Sequence, residues 1–185
     1  MTRNDTERRG PLPMTPGWLP LAARRATMTP AWQSWIGSRD SLTMRLTAAG
    51  KGRTFRVHLL RQGLGKPTID EAHALHLPLD RFAWLREVTL CLDDVPWVAA
   101  RSVAPLTHLR GQRLEGLGER SLGSWLFRQP DLERGPIEVT TAPAPFHPLT
   151  GPWGRRSIFR HGNFAVLVQE FFLQTMADEL GLPAR

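Results

Sequence analysis

The chain has 185 residues, of which 41% are hydrophobic and 22% charged, a composition typical of a globular protein with a single core. No apolar run approaches the ~20 residues that a membrane helix needs, and no secretory signal is visible at the N-terminus. The single cysteine, Cys91, has no partner for an internal disulfide. These features predict a cytoplasmic protein without a membrane span.

The net charge of +7 raises the question of a nucleic-acid partner, and its distribution argues against one. Lys51 and Lys66 are the two lysines among the 24 basic residues, and the arginines are scattered along the chain instead of following one face of a helix. We therefore expect no nucleic-acid partner. Two explanations of the arginines remain open, namely a biased composition and a small anionic ligand bound by a few buried arginines.

The chain begins with a segment that shows neither helical nor strand periodicity. Residues 1–29 mix charges with Pro and Gly, which predicts an irregular N-terminal arm. The remaining domain, residues 30–185, starts with two predicted helices. The first begins near Pro30, and the second begins near Ser41 and ends at Gly50, where a left-handed C-cap is expected.

After the second helix the hydrophobic period changes to two, which is typical of β-strands. Turn candidates at Asp93–Asp94 and at 161–163 separate consecutive strands and favour antiparallel hairpins. The Leu-rich and Gly-rich region 106–129 predicts two short helices joined by a flexible turn. We therefore predict a single α+β domain with about six antiparallel strands flanked by helices. The six strand segments are 53–62, 81–93, 97–104, 136–141, 155–160 and 164–173.

Four charged residues fall on strand faces that are otherwise apolar: Arg61, Arg86, Arg101 and Glu170. An unpaired buried ion costs several kcal/mol, so something must compensate these charges. One interpretation is structural, such as an ion pair between Arg86 and Glu170 or arginines whose heads reach water from edge strands. The other is a closed apolar cavity, lined by all four residues, whose surplus positive charge binds an anionic ligand.

Other chemical signals are weak. The acidic and histidine-containing run at 70–76 has possible metal-ligand spacing, but no second His or Cys cluster completes a site, so we expect no metal and a solvated loop or short helix. No nucleophile elbow is present, and Cys91 is predicted to be a small core residue. Nucleophilic catalysis is therefore not expected.

Several motifs, in order, resemble the bacterial chorismate pyruvate-lyase family. The resemblance extends from about Trp35 to Leu173, and ordered motifs at the expected separations are far more specific than any one of them. It implies a six-stranded antiparallel sheet flanked by helices, with an internal site covered by two helical flaps. The motifs are WLREVTLCLDDVPWVAARSVAP (84–105), LGERSLGSWLF (117–127) and WGRRSIFRHGNFAVLVQEFFL (153–173), with DSLTMRL and RVHLLRQG nearer the start.

The resemblance also implies an activity. Family members convert chorismate to 4-hydroxybenzoate and pyruvate, the committed step that supplies the ring of ubiquinone, without a metal or an organic cofactor. The expected ligands are chorismate and 4-hydroxybenzoate, and proteins of this size in the family are usually monomers. Because 4-hydroxybenzoate keeps a carboxylate and a hydroxyl, we expect it to leave a closed site slowly and to inhibit the enzyme.

The resemblance assigns roles to particular residues. Arg86, in the WLRE motif, would bind the ring carboxylate, and Glu170 would meet the ring 4-hydroxyl, so these two are the expected catalytic residues. Whether Glu170 acts as a base or only positions the hydroxyl stays open. Leu122 in the second flap would close over the ring, and Leu42 stands in the first flap where some relatives have Met.

The second carboxylate of chorismate needs a partner as well. Arg101 and Arg61 match family positions, and we assign them to this carboxylate as a hypothesis.

Two alternatives remain. The same fold resembles the ligand-sensing domains of certain bacterial transcription regulators, which bind small effectors without catalysis. Such regulators carry a winged helix in front of the sensing domain, and the arm formed by residues 1–29 is too short to supply one. The other alternative is a chorismate-converting enzyme that forms a different hydroxybenzoate.

Overall fold

The structure is a computed structural model that describes residues 17–109 and 114–183. In these residues eight β-strands form one sheet, and six short α-helices surround it. The strands are β1 Leu19–Pro20, β2 Phe55–Gly65, β3 Ala83–Leu92, β4 Val95–Pro105, β5 Glu133–Arg134, β6 Glu138–Thr140, β7 Trp153–His161 and β8 Phe164–Phe172. The helices are α1 Leu21–Arg24, α2 Pro30–Gly37, α3 Leu42–Ala49, α4 Ile69–Ala74, α5 Leu122–Leu126 and α6 Gln174–Glu179, with 3-10 turns at Arg25–Thr27, Leu106–Leu109 and Glu115–Leu117.

The sheet is antiparallel throughout, with strand order β1-β6-β7-β8-β4-β3-β2 and with β5 paired to β7. The predicted α+β class and all six predicted strands are confirmed. The two additional strands, β1 and β5, have two residues each and are too short to show a period. Both predicted hairpins also form. The φ angles of Asp93 and Asp94 are 47° and 64°, as a type I′ turn requires.

The N-terminal arm differs from the expectation. Its residues 1–16 lie outside the described residues. The rest of it is not irregular, because β1 pairs with β6 and α1 follows directly. The ring of Trp18 packs 5.7 Å from that of Phe171, which fixes this segment to the body as part of the fold.

The two predicted helices near the start are confirmed as α2 and α3. Pro30 occupies the first turn of α2, and Ser41 is the N-cap of α3. The predicted left-handed cap at Gly50 is wrong, because its φ is −70° and the left-handed residues, Lys51 and Gly52, come after it. Gly50 is required for a different reason: a Cβ atom there would lie 2.8 Å from a methyl group of Leu92.

The two faces of the sheet are covered differently. The face that contains Val88, Leu90 and Ala100, called the inner face below, packs against α2 and α3 through a large apolar cluster. On the opposite, outer face, Leu85 and the side chains around it pack against the region of α4. None of the described helices has the length and hydropathy needed to cross a membrane.

A buried ion network attaches α4 to the outer face. Glu71 of α4 accepts hydrogen bonds from Arg101 at 2.7 and 2.9 Å and from Gln169 at 2.5 Å, and Arg101 also pairs with Glu87 across the β3–β4 ladder. Burial acts to raise the pKa of Glu71, but the hydrogen bonds and charge of Arg101 outweigh it and hold that pKa below its usual range. The acidic run at 70–76 therefore supplies a structural ion pair.

Replacing Glu71 tests this network. We expect Glu71→Ala to lower the free energy of unfolding by about 3 kcal/mol at neutral pH, because it leaves Arg101 buried with half of its partners. Since the folded-state pKa of Glu71 is lowered, its contribution is present above the ordinary value of 4.5 and is lost as the pH falls through the folded-state pKa. Urea titrations of wild type and variant should therefore converge in acid.

Glu138→Ala is the matched control. Glu138 pairs with Arg156 at 2.7 Å, but 37% of its side chain is exposed, so its loss should cost less than about 1 kcal/mol. A Glu71→Ala variant as stable as this control would contradict a structural role for the network.

Candidate active site

A pocket lies between the inner face of the sheet and two short helices, α3 and α5. The space inside the pocket, together with open solvent at its mouth, amounts to about 620 Å³. The strands supply its floor and the helices its cover, and most of its walls are apolar. The lining residues are Asp40, Leu42, Thr43, Val57, Arg86, Val88, Leu90, Ala100, Ser102, Ser121, Leu122, Gly123, Leu126, Phe127, Arg134, Arg155, Phe159, Val168 and Glu170.

Two neighbouring rows of paired residues across the sheet place the charged groups of the floor. The first row runs from Arg86 on β3 through Ser102 and Val168 to Ser157 on β7. Ser102 and Val168 are small, so the space above the middle of this row is left open between its two ends.

The second row lies two residues further along each strand. It runs from Val88 through Ala100 to Glu170 on β8 and Arg155 on β7. Val88 and Arg86 both lie on β3, and two strand spacings separate β3 from β8. The strand that carries Glu170 is therefore about 10 Å from the strand that carries Arg86.

Arg86 is a buried cation whose described partners are all neutral. Its side chain donates to Gln62 Oε1 at 2.6 Å and to the carbonyl oxygens of Gly118 and Arg120 at 2.8 and 3.0 Å, and the residue is 1% exposed. Among the carboxylates whose side chains the structure describes, none lies within 4 Å of it. Burial lowers the pKa of Arg86, and a bound anion would offset this cost.

Glu170 is held by Arg155, the residue opposite it in the β7–β8 hairpin. Nε of Arg155 donates to Glu170 Oε2 at 2.6 Å. Nη1 of the same guanidinium donates to the carbonyl oxygens of Trp35, Ile36 and Ser38 at 2.9, 3.2 and 3.0 Å. Arg155 therefore fixes the carboxylate and, at the same time, the C-terminal end of α2.

A third arginine, Arg134 of β5, enters the pocket at the far end of the first row. Its Nε donates to Ser157 Oγ at 3.1 Å and its Nη1 to the Ser38 carbonyl oxygen at 2.9 Å, while its guanidinium lies 5.1 Å from the ring centre of Phe159. Burial lowers the pKa of Arg134 to about 10, with a further contribution from the charge of Arg155. It is still protonated at neutral pH.

The cover consists of α3, the first flap, and α5, the second flap. Leu42 and Leu122 open these helices and point apolar side chains into the pocket. The flaps are joined to each other, since the hydroxyl groups of Thr43 and Ser121 are 2.7 Å apart. Ser121 also caps α5 by accepting from the amide of Ser124.

The structure brings together four of the six residues singled out in the sequence: Arg86, Glu170, Leu42 and Leu122 all line the pocket. The proposed ion pair between Arg86 and Glu170 is not formed, because Glu170 pairs with Arg155.

Arg101 and Arg61 are not in this pocket, and a local irregularity explains each case. In β4, Trp97 has no partner residue on β3, because the register shifts between Leu90 and Cys91. Trp97 therefore joins the inner cluster, and Arg101 faces outward to Glu87. In β2 a bulge at Leu60 reverses the alternation beyond Leu59.

The bulge in β2 determines which side chain meets Arg86. It pairs Arg61 with the outward-facing Glu87 and leaves Arg61 exposed, whereas Gln62 pairs with Arg86 on the inner face. The expectation that all four charged strand faces line one interior is therefore wrong for Arg61 and Arg101.

Sequence reasoning missed Arg155, Arg134 and Gln62. A signal for Arg155 was available, because a two-residue turn at Gly162–Asn163 sets the hairpin register and places Arg155 opposite Glu170. No comparable signal exists for Arg134, whose strand has two residues, or for Gln62, whose position depends on the bulge.

Comparisons with known proteins point in one direction. The family model described as chorismate lyase matches residues 16–179. A protein of Chromohalobacter salexigens named probable chorismate pyruvate-lyase is 57% identical over 178 residues, covering 94% of this chain and 97% of that protein. A Pseudomonas aeruginosa protein of the same name is 42% identical over 177 residues, covering 92% of this chain and 98% of that protein.

Among solved structures, the effector domain of PhnF from Mycobacterium smegmatis is similar in fold. The TM-score is 0.53 at 14% identity, and the match covers 73% of this chain and 89% of that domain. At this identity the likeness concerns the fold alone.

Removing the contact between the flaps tests how the cover is held. We expect Thr43→Val to weaken closure by about 1 kcal/mol, a roughly fivefold change in the opening equilibrium, since it keeps the shape of the side chain and loses the hydroxyl. Hydrogen exchange of the α5 amides should accelerate accordingly. Thr47→Val, on the exposed side of the same helix, is the control and should leave α5 unchanged. Equal exchange in both variants would show that the hydroxyl pair does not hold the flaps.

Proposed function

Because the chain belongs to the chorismate lyase family, we propose that it is a chorismate pyruvate-lyase, which converts chorismate into 4-hydroxybenzoate and pyruvate. The observation that carries the proposal is the buried Arg86, which has no carboxylate partner among the described side chains and faces Glu170 across a covered apolar pocket. The guanidinium of Arg86 has five N–H donors and uses three of them on the described acceptors, so donors and a positive charge remain for a bound carboxylate.

The spacing of the two groups fits the substrate class. Arg86 binds the ring carboxylate, and the ring lies over the small residues Ser102 and Val168 of the floor. The hydroxyl in the para position then meets Glu170, two strands away. Leu42 and Leu122 cover the ring from the side of the flaps. The pocket thus selects a para-substituted ring, because Arg86 requires a carboxylate at one end of the ring and Glu170 requires a hydroxyl at the other.

The reaction breaks the ether bond between C3 of the ring and the enolpyruvyl oxygen, and C4 loses its hydrogen. The enolpyruvyl group gains a hydrogen at its methylene carbon and leaves as pyruvate, while the ring gains its third double bond. Because aromatisation supplies the driving force, the protein has to orient the ether against the C4 hydrogen and exclude water. The buried arginines stabilise negative charge that develops on the departing oxygen.

Glu170 is positioned to accept a hydrogen bond from the 4-hydroxyl. Its Oε2 already accepts from Arg155, and no described residue donates to its Oε1, which can accept from the substrate. A direct transfer of the C4 hydrogen to the methylene carbon requires no base, and in that case Glu170 orients the hydroxyl. If a base removes the hydrogen, Glu170 is the carboxylate beside C4.

Further properties belong to this proposal. We propose that the product supplies the ring of ubiquinone, that the enzyme acts as a cytoplasmic monomer without metal or organic cofactor, and that 4-hydroxybenzoate inhibits it. Inhibition is expected because the product keeps both groups that Arg86 and Glu170 recognise, while the flaps must part to release it.

The direct test is to mix the purified protein with chorismate in buffer that contains EDTA and to follow both products by chromatography. Equal amounts of 4-hydroxybenzoate and pyruvate would establish the activity. Added 4-hydroxybenzoate should slow the progress curves. Absence of turnover together with tight binding of 4-hydroxybenzoate in calorimetry would contradict the enzyme and favour an effector-binding domain of the same fold.

Two substitutions separate the roles of the charged groups. Arg86→Ala should weaken 4-hydroxybenzoate binding and raise KM for chorismate together, each roughly tenfold or more, because both ligands carry the ring carboxylate. Glu170→Gln should lower kcat more than it changes product affinity. Arg56→Ala, an exposed arginine on β2, serves as the control. If neither site variant changes the kinetics while both stay folded, the assigned site is wrong.

A further inference from the structure

Chorismate carries two carboxylates, and the pocket described so far accounts for one of them. The second belongs to the enolpyruvyl group on C3, the ring atom next to the hydroxyl-bearing C4. If Arg86 binds the ring carboxylate at C1, the second carboxylate must lie at the other end of the ring, near Glu170. We propose that Arg134 binds this enolpyruvyl carboxylate, an inference that rests on the proposed function.

The place of Arg134 in the sheet supports this assignment. Arg86 and Ser157 occupy the two ends of one row of paired residues, and Arg134 is hydrogen-bonded to Ser157. Glu170 lies in the neighbouring row, one strand away from Ser157. A ring held by Arg86 and Glu170 therefore directs a substituent beside its hydroxyl toward Arg134. Arg61, on β2, lies beyond the Arg86 end of the row.

The remaining capacity of each arginine leads to the same choice. Among the described lining residues, the arginines are Arg86, Arg134 and Arg155. Arg155 already forms an ion pair with Glu170 and donates to three backbone carbonyl oxygens. Arg134 uses Nε and Nη1 on neutral acceptors, and no described residue accepts from its Nη2 or places a carboxylate within 4 Å of it. It therefore keeps both a charge and donors for an anion.

The surroundings of Arg134 hold it ready for such a ligand. The backbone carbonyl oxygen of Ser38 and the hydroxyl of Ser157 fix two of its nitrogens, and the ring of Phe159 lies against its guanidinium. The lowered pKa of Arg134 reflects burial beside Arg155, so an anion there would relieve an existing cost. Fixed geometry reduces the entropy lost on binding the carboxylate.

The test uses two ligands that differ in the second carboxylate. The compound 4-hydroxybenzoate has the ring carboxylate alone, whereas 3-(carboxymethoxy)-4-hydroxybenzoate also carries a carboxylate on an ether at the position of the enolpyruvyl group. We expect Arg134→Gln to weaken binding of the dicarboxylate about tenfold or more in calorimetry and to leave the affinity for 4-hydroxybenzoate within about twofold. The value of kcat/KM for chorismate should fall by at least the same factor, with partial recovery in Arg134→Lys.

The control is Arg39→Gln. Arg39 is an exposed arginine that donates to the backbone oxygen of Arg134 and does not line the pocket. This change therefore removes one nearby positive charge and keeps the Arg134 side chain. Equal weakening of both ligands in Arg134→Gln, or no effect on either, would overturn the inference. Such a result in an enzyme whose wild type still converts chorismate leaves the proposed function intact, whereas failure of the wild type to convert chorismate refutes that function itself.

Discussion

The buried guanidinium of Arg155 is the contact on which the arrangement of the site depends. One planar group neutralises Glu170 on the floor and satisfies carbonyl oxygens at the end of α2 and at Ser38. Ser38 leads directly into the first flap, and its carbonyl oxygen also accepts from Arg134. The position of the Glu170 carboxylate and the start of the cover are thus fixed by the same cation, so disturbing either is expected to disturb the other.

The charges on the two faces of the sheet are used in different ways. On the outer face, Arg101 is matched by Glu71 and Glu87, and the network closes on itself. On the inner face, the positive charge of Arg155 is matched by Glu170, while the described partners of Arg86 and Arg134 are all neutral. The first pattern stabilises the fold. The second leaves two guanidinium groups of an apolar pocket without a carboxylate contact among the described residues, and a bound anion can neutralise them.

The sequence allowed prediction of the longer strands, both hairpins and two of the helices, because these depend on local period and on capping and turn residues. Alternation placed Arg86 and Glu170 on apolar faces, and capping and turn residues located α2, α3 and both hairpins. Alternation fails where a strand gains one residue, and this happened at Leu60 and beside Cys91. Each bulge changes which residues face the pocket, so Gln62 replaced Arg61 and Arg101 went to the outer face.

The roles of the two arginines on β7 and β5 depend on pairing between strands, which a single strand's pattern does not contain. Arg155 could be placed opposite Glu170 through the hairpin register, since the intervening turn has two residues. Arg134 could not, because β5 is too short for a period and reaches the pocket by way of β7. Ordered motifs are therefore enough to recognise a family. Assigning a role to each charged residue also requires the strand pairing of the sheet.

The cover and the floor of the pocket have different stability, and this bears on turnover. The floor residues lie on long paired strands, whereas the second flap is a helix of five residues, which is joined to the first flap by a pair of hydroxyl groups and packs on the sheet through Leu122 and Leu126. A helix of five residues has few backbone hydrogen bonds of its own, so it opens at a lower free-energy cost than a central strand. The rigid floor can therefore keep Arg86 and Glu170 in place while the flaps part, which is what the proposed slow release of 4-hydroxybenzoate requires.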